Sequence, residues 1–146
     1  SSTSRGLGDV YKRQMITRVI SQMTNSAMLR NQITVQGPEN RLDFSNVTDV
    51  ADAFARAATK KEAANEIFNC TRGYGRTILE AAELVRDTLG KGEIQTKPHD
   101  PFYPNRDTLN SDKIKKLLGW NPTVDIEQGI PAYIEWFLQQ ECYNEK

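Results

Sequence analysis

Few groups in this chain have the type and spacing to do chemistry. Arg41 stands directly before an apolar run in RLDFSNVTDVADAF (residues 41–54), and Asp49 marks the point where that stretch changes from strand-like to helix-like. The loop Thr71-Arg72-Gly73-Tyr74-Gly75 precedes a helix N-terminus, where free amides can cradle an anion. The simpler reading, preferred here, is that its glycines shape a turn. His99 is the single histidine, so a His-rich metal site is excluded, as is any Ser-His-Asp scheme not built on it. A lone loop histidine is usually just exposed. Cys70 and Cys142 lie far apart without metal-ligand spacing. They read as free thiols of a reducing cytosol, so the expected location is cytoplasmic.

The totals narrow the class further. A chain of 146 residues can bury a real core. Nineteen basic and nineteen acidic side chains cancel, which argues against nucleic acid as a partner, since phosphate-backbone binders carry a basic excess. No apolar run is long enough to span a bilayer, so no membrane partner is expected.

The elements that would position these groups can be read from periodicity. Residues 1–14, SSTSRGLGDVYKRQ, show no sustained apolar period and resemble a conceptual translation of sequencing-adapter DNA. They are expected to be a non-native or disordered tail, with a native tail as the alternative. Met15, Ile16, Val19, Ile20, Met23 and Ala27 recur at helical spacing, predicting a helix over 15–28. Ile33 and Val35 alternate in a strand stopped by Gly37-Pro38, and Leu42, Phe44 and Val47 suggest a second strand. Asp49 is then expected to cap a helix with Val50, Ala53, Phe54 and Ala57 on one face.

EIFNC (66–70) reads as a third strand, and Thr77-Ile-Leu-Glu80 as a capping box opening a helix over 78–89 that Gly90 ends. EIQTK is a fourth short strand, followed by the long loop PHDPFYPNRD. Asn110 or Ser111 caps DKIKKLLG, and Asp125 with Gln128 opens a last helix in which Pro131 forces either a kink or a restart. Trp120, Trp136 and Phe137 read as core anchors, and Lys113, Lys115 and Lys116 as a solvated face. Strands alternating with helices define an α/β fold. About four short strands make an incomplete sheet, so the chain is expected to be part of something larger.

In order, NRLDFSNVTDVADAF, NEIFNCTRGYGRTILEAAELV and TLNSDKIKKLLGWNPTVDIEQGIPAYIEWF resemble the C-terminal half of the extended short-chain dehydrogenase/reductases, the NAD-dependent nucleotide-sugar epimerases and dehydratases. The resemblance covers about residues 15–138, and it implies that 15–146 is the substrate-binding portion of a Rossmann-type enzyme. Two family features are missing. No glycine-rich dinucleotide fingerprint is present, and no tyrosine is followed at the fourth place by lysine. The chain alone is therefore expected to hold no catalytic or cofactor-binding residue and to bind no NAD(P), which belongs to the intact parent. The expected partners are a nucleotide-diphosphate sugar and a missing N-terminal dinucleotide-binding domain, the parent being a homodimer. The face meeting that domain is expected to be apolar and exposed.

The resemblance also implies site residues. The family places a diphosphate-binding arginine two residues before the strand aromatic, where this chain has Leu42. Arg41 sits one place early, so a bulge re-aims it, the contact is lost, or it is a solvent-facing arginine at a strand start. Arg106 is the second candidate cation, in a loop long enough to be functional. Val35, Gln36 and Gly37 match the segment bordering the nucleotide base, with Gln36 where an aromatic is common. Alternatives kept open are a stand-alone, non-catalytic binding module and a fragment of a related reductase acting on a smaller carbonyl.

Overall fold

The computed structural model describes residues 18–102 and 108–140. Residues 1–14, Met15 and Ile16 of the predicted first helix, Arg106 and Cys142 lie outside them. Helix α1 (Val19–Arg30) leads into strand β1 (Gln32–Gln36), the two-residue β2 (Arg41–Leu42) and helix α2 (Val47–Thr59). A single 3-10 turn (Lys61–Ala63) follows, then β3 (Arg76–Thr77), α3 (Ile78–Leu89), β4 (Glu93–Lys97), α4 (Asp112–Leu118) and α5 (Ile126–Leu138).

Strands β1 and β4 pair in parallel, Gln32 opposite Glu93 through Gln36 opposite Lys97. A parallel pair needs a crossover, and β2, α2, β3 and α3 lie between them in sequence. The inward side chains Ile33 and Val35 are fully buried. They pack with Met23 and Ala27 of α1, Ala81, Ala82 and Val85 of α3, and Ile126, Ile130 and Ile134 of α5. The opposite side of the pair is polar, with Thr34, Gln36, Glu93, Gln95 and Lys97 exposed. A second core joins α2 to α4 through Ala53, Ile114, Leu118 and Trp120. The α/β class and the incomplete sheet hold: among the described residues there are two two-stranded sheets, β1–β4 parallel and β2–β3 antiparallel.

Helix ends follow local chemistry. The Thr77–Glu80 capping box forms and Gly90 closes α3, as the sequence predicts. Asp125 and Gln128 form the second box, and α5 runs unbroken through Pro131. The proline stands at the sixth helical position, where its missing N–H leaves only the Glu127 carbonyl without its usual partner. Ser111 holds the N-cap position of α4, but the side-chain bond comes from Asn110, whose Oδ1 accepts from the Asp112 amide at 2.8 Å.

Several expectations fail for tertiary reasons. The second strand stops at Leu42, because only Arg41 and Leu42 find a partner in β3. Val47 is helical, and the cap is Asn46, whose side chain accepts from the Thr48 amide at 2.9 Å. Asp49 instead leaves its own helix: Oδ1 accepts from the Thr123 amide (2.9 Å) and hydroxyl (3.0 Å), and Oδ2 from the Val124 amide (3.0 Å). EIFNC is not a strand: it joins neither sheet, its neighbours being side chains of the α4 segment such as Lys113, which meets Glu66, and Ile67 is 86% exposed. Trp120 is a core anchor and donates Nε1–H to the Asp49 carbonyl at 2.8 Å, and Phe137 is buried, but Trp136 is 55% exposed. Phe54, placed on the inner face of α2 by its spacing, is 72% exposed. Among the described residues no helix is long and apolar enough to cross a membrane, and no three potential metal ligands cluster.

Candidate functional site

One corner gathers most of the singled-out residues. It lies where the turn after β1, the short β2, the loop before α3 and the end of β4 meet. Gly37 opens the turn with φ +64°, a conformation that penalises any side chain. A Cβ there would lie 2.4 Å from Nδ2 of Asn40. The freed space lets Asn40 sit over Gly37 and meet Nδ1 of His99 at 2.7 Å, with Asn40 Nδ2 the donor and the ring nitrogen the acceptor. The turn also serves α3. The carbonyls of Asn40 and Pro38 accept from the amides of Ile78 and Leu79, at 2.9 and 3.2 Å.

Arg41 is exposed and Leu42 is half-buried, with no bulge between them. The guanidinium is nevertheless drawn to one side: Nη1 donates to the Gly75 carbonyl at 2.9 Å. The other arginines of the corner are neutralised. Arg72 meets Asp125 at 2.9 Å, and Arg76 meets Asp125 at 3.4 Å, Glu80 at 3.3 Å and Glu127 more closely still. The Glu127 hydrogen bond is the main reason the Arg76 guanidinium holds its proton even more tightly than usual. Among the described residues Arg41 makes no ion pair with a carboxylate.

The TRGYG loop is shaped as a turn and does not offer a free anion cradle. Two adjacent amides at its centre are already taken by a carboxylate of the protein: Asp43 accepts from Arg72 N at 2.9 Å and Gly73 N at 2.8 Å. The N-terminus of α3 is likewise closed, since Glu80 N donates to the Thr77 hydroxyl at 3.1 Å and the two amides before it donate to the turn carbonyls. The Thr77 amide holds the Glu80 carboxyl below its ordinary range. This is the one direct strand-to-helix junction among the described residues, and it leaves no free amide of its first turn for a dinucleotide pyrophosphate.

The other predicted residues sort plainly. Gln36 is exposed at the end of β1, next to the buried Gly37. Val35 is fully buried, so its side chain faces the core and only its backbone is left for a ligand. Arg106 lies outside the described residues. Asp49 belongs to the scaffold: burial raises its carboxyl pKa, but the Thr123 and Val124 amides, the Thr123 hydroxyl and the charge of Arg72 outweigh this and hold it below the usual range. Cys70 moves the other way, its thiol pKa pushed up first by burial and then by the Asp49 charge. Asn40 and Asp43 were not singled out from sequence, and Gly75 only as one of the glycines shaping the TRGYG turn. Asn40 and Asp43 had a signal in their polar character beside a Gly-Pro turn and a strand start. Gly75 had none that separated it from any turn glycine.

Solved structures share this fold. The chain aligns with dTDP-glucose 4,6-dehydratase from Bacillus anthracis, determined in complex with NAD, at a TM-score of 0.75 and 23% identity, covering 88% of this chain and 41% of that one. It aligns with UDP-glucose 4-epimerase from Thermotoga maritima, determined with UDP-glucose, at a TM-score of 0.71 and 31% identity, covering 82% of this chain and 39% of that one. The class is thereby the Rossmann-type, extended short-chain dehydrogenase/reductase fold. In sequence the chain is 28% identical over 131 residues to UDP-glucuronic acid decarboxylase 2 of Arabidopsis thaliana, covering 88% of this chain and 29% of that protein. It is 31% identical over 109 residues to mouse dTDP-D-glucose 4,6-dehydratase, covering 66% of this chain and 29% of that protein. The model of the NAD dependent epimerase/dehydratase family matches residues 4–71. The chain is similar to members of that family in sequence and in fold. It spans under a third of the length of these curated relatives.

Proposed function

We propose that this chain is the substrate-side portion of an NAD(P)-dependent nucleotide-sugar epimerase or dehydratase. The parent reaction would pass hydride at a sugar hydroxyl carbon by way of a keto intermediate. In this reading Arg41 holds the diphosphate, with Gln36 and the Gly37 backbone at the base, and Arg106 is a second cation for the phosphates. Remote binding energy of this kind fixes the sugar where hydride transfer can occur. The observation that carries the reading is Arg41, an exposed residue with no carboxylate partner among the described residues, in a corner where Arg72 and Arg76 are both paired. The group that accepts hydride would sit on a dinucleotide-binding domain outside the described residues.

A stripe on α2 supports that second partner. Val47, Ala51, Phe54, Ala55 and Ala58 recur at helical spacing and are all exposed, Val47 at 78% and Phe54 at 72%. Such a face is the kind a neighbouring domain covers. A reductase on a smaller carbonyl is the second reading, favoured by half-buried Leu42 where the family has its arginine.

The test is ligand-observed NMR on the full chain with UDP-glucose and dTDP-glucose. Weak binding in the millimolar range, further weakened in Arg41→Ala and without NAD-dependent turnover, is expected. Absence of saturation by either sugar nucleotide, or turnover by the chain alone, would overturn the proposal.

A further inference from the structure

We infer that Gly75 is the positioning residue for Arg41: its carbonyl and its missing side chain together hold the guanidinium with one edge turned outward for a diphosphate. The inference rests on Arg41 being the diphosphate ligand, and it explains how an arginine one place early in the strand could still serve.

Three observations carry it. Nη1 of Arg41 donates to the Gly75 carbonyl at 2.9 Å, and no other partner of this side chain is found among the described residues. In a guanidinium, Nε and Nη2 point the same way, away from Nη1, so anchoring Nη1 leaves the two-donor edge that matches a pair of phosphate oxygens. Second, the stem of Arg41 lies across residue 75. A Cβ on Gly75 would meet Arg41 Cβ at 3.1 Å and Cδ at 3.7 Å, with Thr108 Cγ2 at 3.2 Å beside it. Any side chain there must push the stem or Thr108 away. Third, the backbone at Gly75 is not in the left-handed region, unlike Gly73 at φ +76°. No φ in the glycine-favouring region accounts for glycine here, whereas close approach of Arg41 does.

Holding an exposed arginine before the ligand arrives removes part of the ordering cost of binding. Without the anchor the charge survives but its direction is lost. A substitution at 75 should therefore weaken diphosphate binding while leaving the rest of the corner in place.

The experiment is a double-mutant cycle on the full chain, with UDP as the probe and binding followed by NMR titration. Gly75→Val should weaken binding on the order of tenfold, as expected for one misaligned charged hydrogen-bond pair. Arg41→Ala should weaken it at least as much, and Gly75→Val should add nothing in the Arg41→Ala background. Gly75→Ala adds the same close contact without backbone strain, and it serves if the valine variant does not fold. If Arg41→Ala leaves UDP binding unchanged, the diphosphate reading itself fails. If Arg41→Ala weakens binding but neither Gly75 variant does, the positioning role alone fails. It fails also if Gly75→Val weakens binding equally in both backgrounds, because that pattern marks a general packing defect.

Discussion

Replacing Asp49 should be the most damaging single polar change among the described residues. The side chain is 6% exposed and accepts three hydrogen bonds from the segment before α5. Asp49→Ala strands the Thr123 and Val124 amides. Each unsatisfied buried group costs about 1–3 kcal/mol, and the Thr123 hydroxyl can turn to water, so the total should be about 3 kcal/mol. That is a large share of the roughly 5–15 kcal/mol typical of a domain. Asp49→Asn keeps one oxygen for Thr123 but points an N–H at the Val124 amide, so about 1–2 kcal/mol is expected. Thr123→Val removes one bond and should cost less than about 1 kcal/mol. Urea unfolding followed by tryptophan fluorescence reads this directly, because Trp120 is buried against the Asp49 carbonyl. The midpoint should fall in the order alanine, asparagine, Thr123→Val with the slope unchanged. An Asp49→Ala variant within about 1 kcal/mol of the parent chain would refute the reasoning, as would an asparagine variant at least as damaged as the alanine.

Other outcomes follow from the same contacts. The Asp49 carboxyl lies below its ordinary value in the folded chain, so its contribution is complete above the unfolded-state pKa and is lost as pH falls through the lowered folded one. Acid unfolding of Asp49→Asn should accordingly show a shallower low-pH limb than the parent chain. Thr77→Ala breaks the capping box of α3 and should cost about 1 kcal/mol in urea unfolding. Phe54→Ser on the exposed α2 stripe should change stability by less than about 0.5 kcal/mol and reduce self-association in sedimentation velocity. Gly37→Ala should cost about 1 kcal/mol or more through its positive φ. It should also shift the His99 ring resonances by displacing Asn40.

Local signals were legible wherever neighbours in sequence settle the outcome. Thr77 with Glu80, Asp125 with Gln128, and Gly90 each act within one helical turn, so their spacing predicts their roles. The α/β class and the shortage of strands were legible for the same reason, from alternating periods and turn residues. The resemblance to the extended short-chain dehydrogenase/reductases rested on an ordered set of such segments.

What only the tertiary structure decided depends on partners far along the chain. Asp49 looks like a cap locally, but Thr123 and Val124, more than seventy residues on, offer three donors against the single local amide a cap would take. EIFNC has strand composition but pairs with no strand among the described residues. Phe54 obeys the helical period, yet α2 packs through Ala53 and leaves Phe54 outside. Arg41 shows the division most plainly. Its residue type and place near the strand start were readable in the sequence. Its direction was not, because a long, flexible side chain points where its partner is, and that partner is the carbonyl of Gly75.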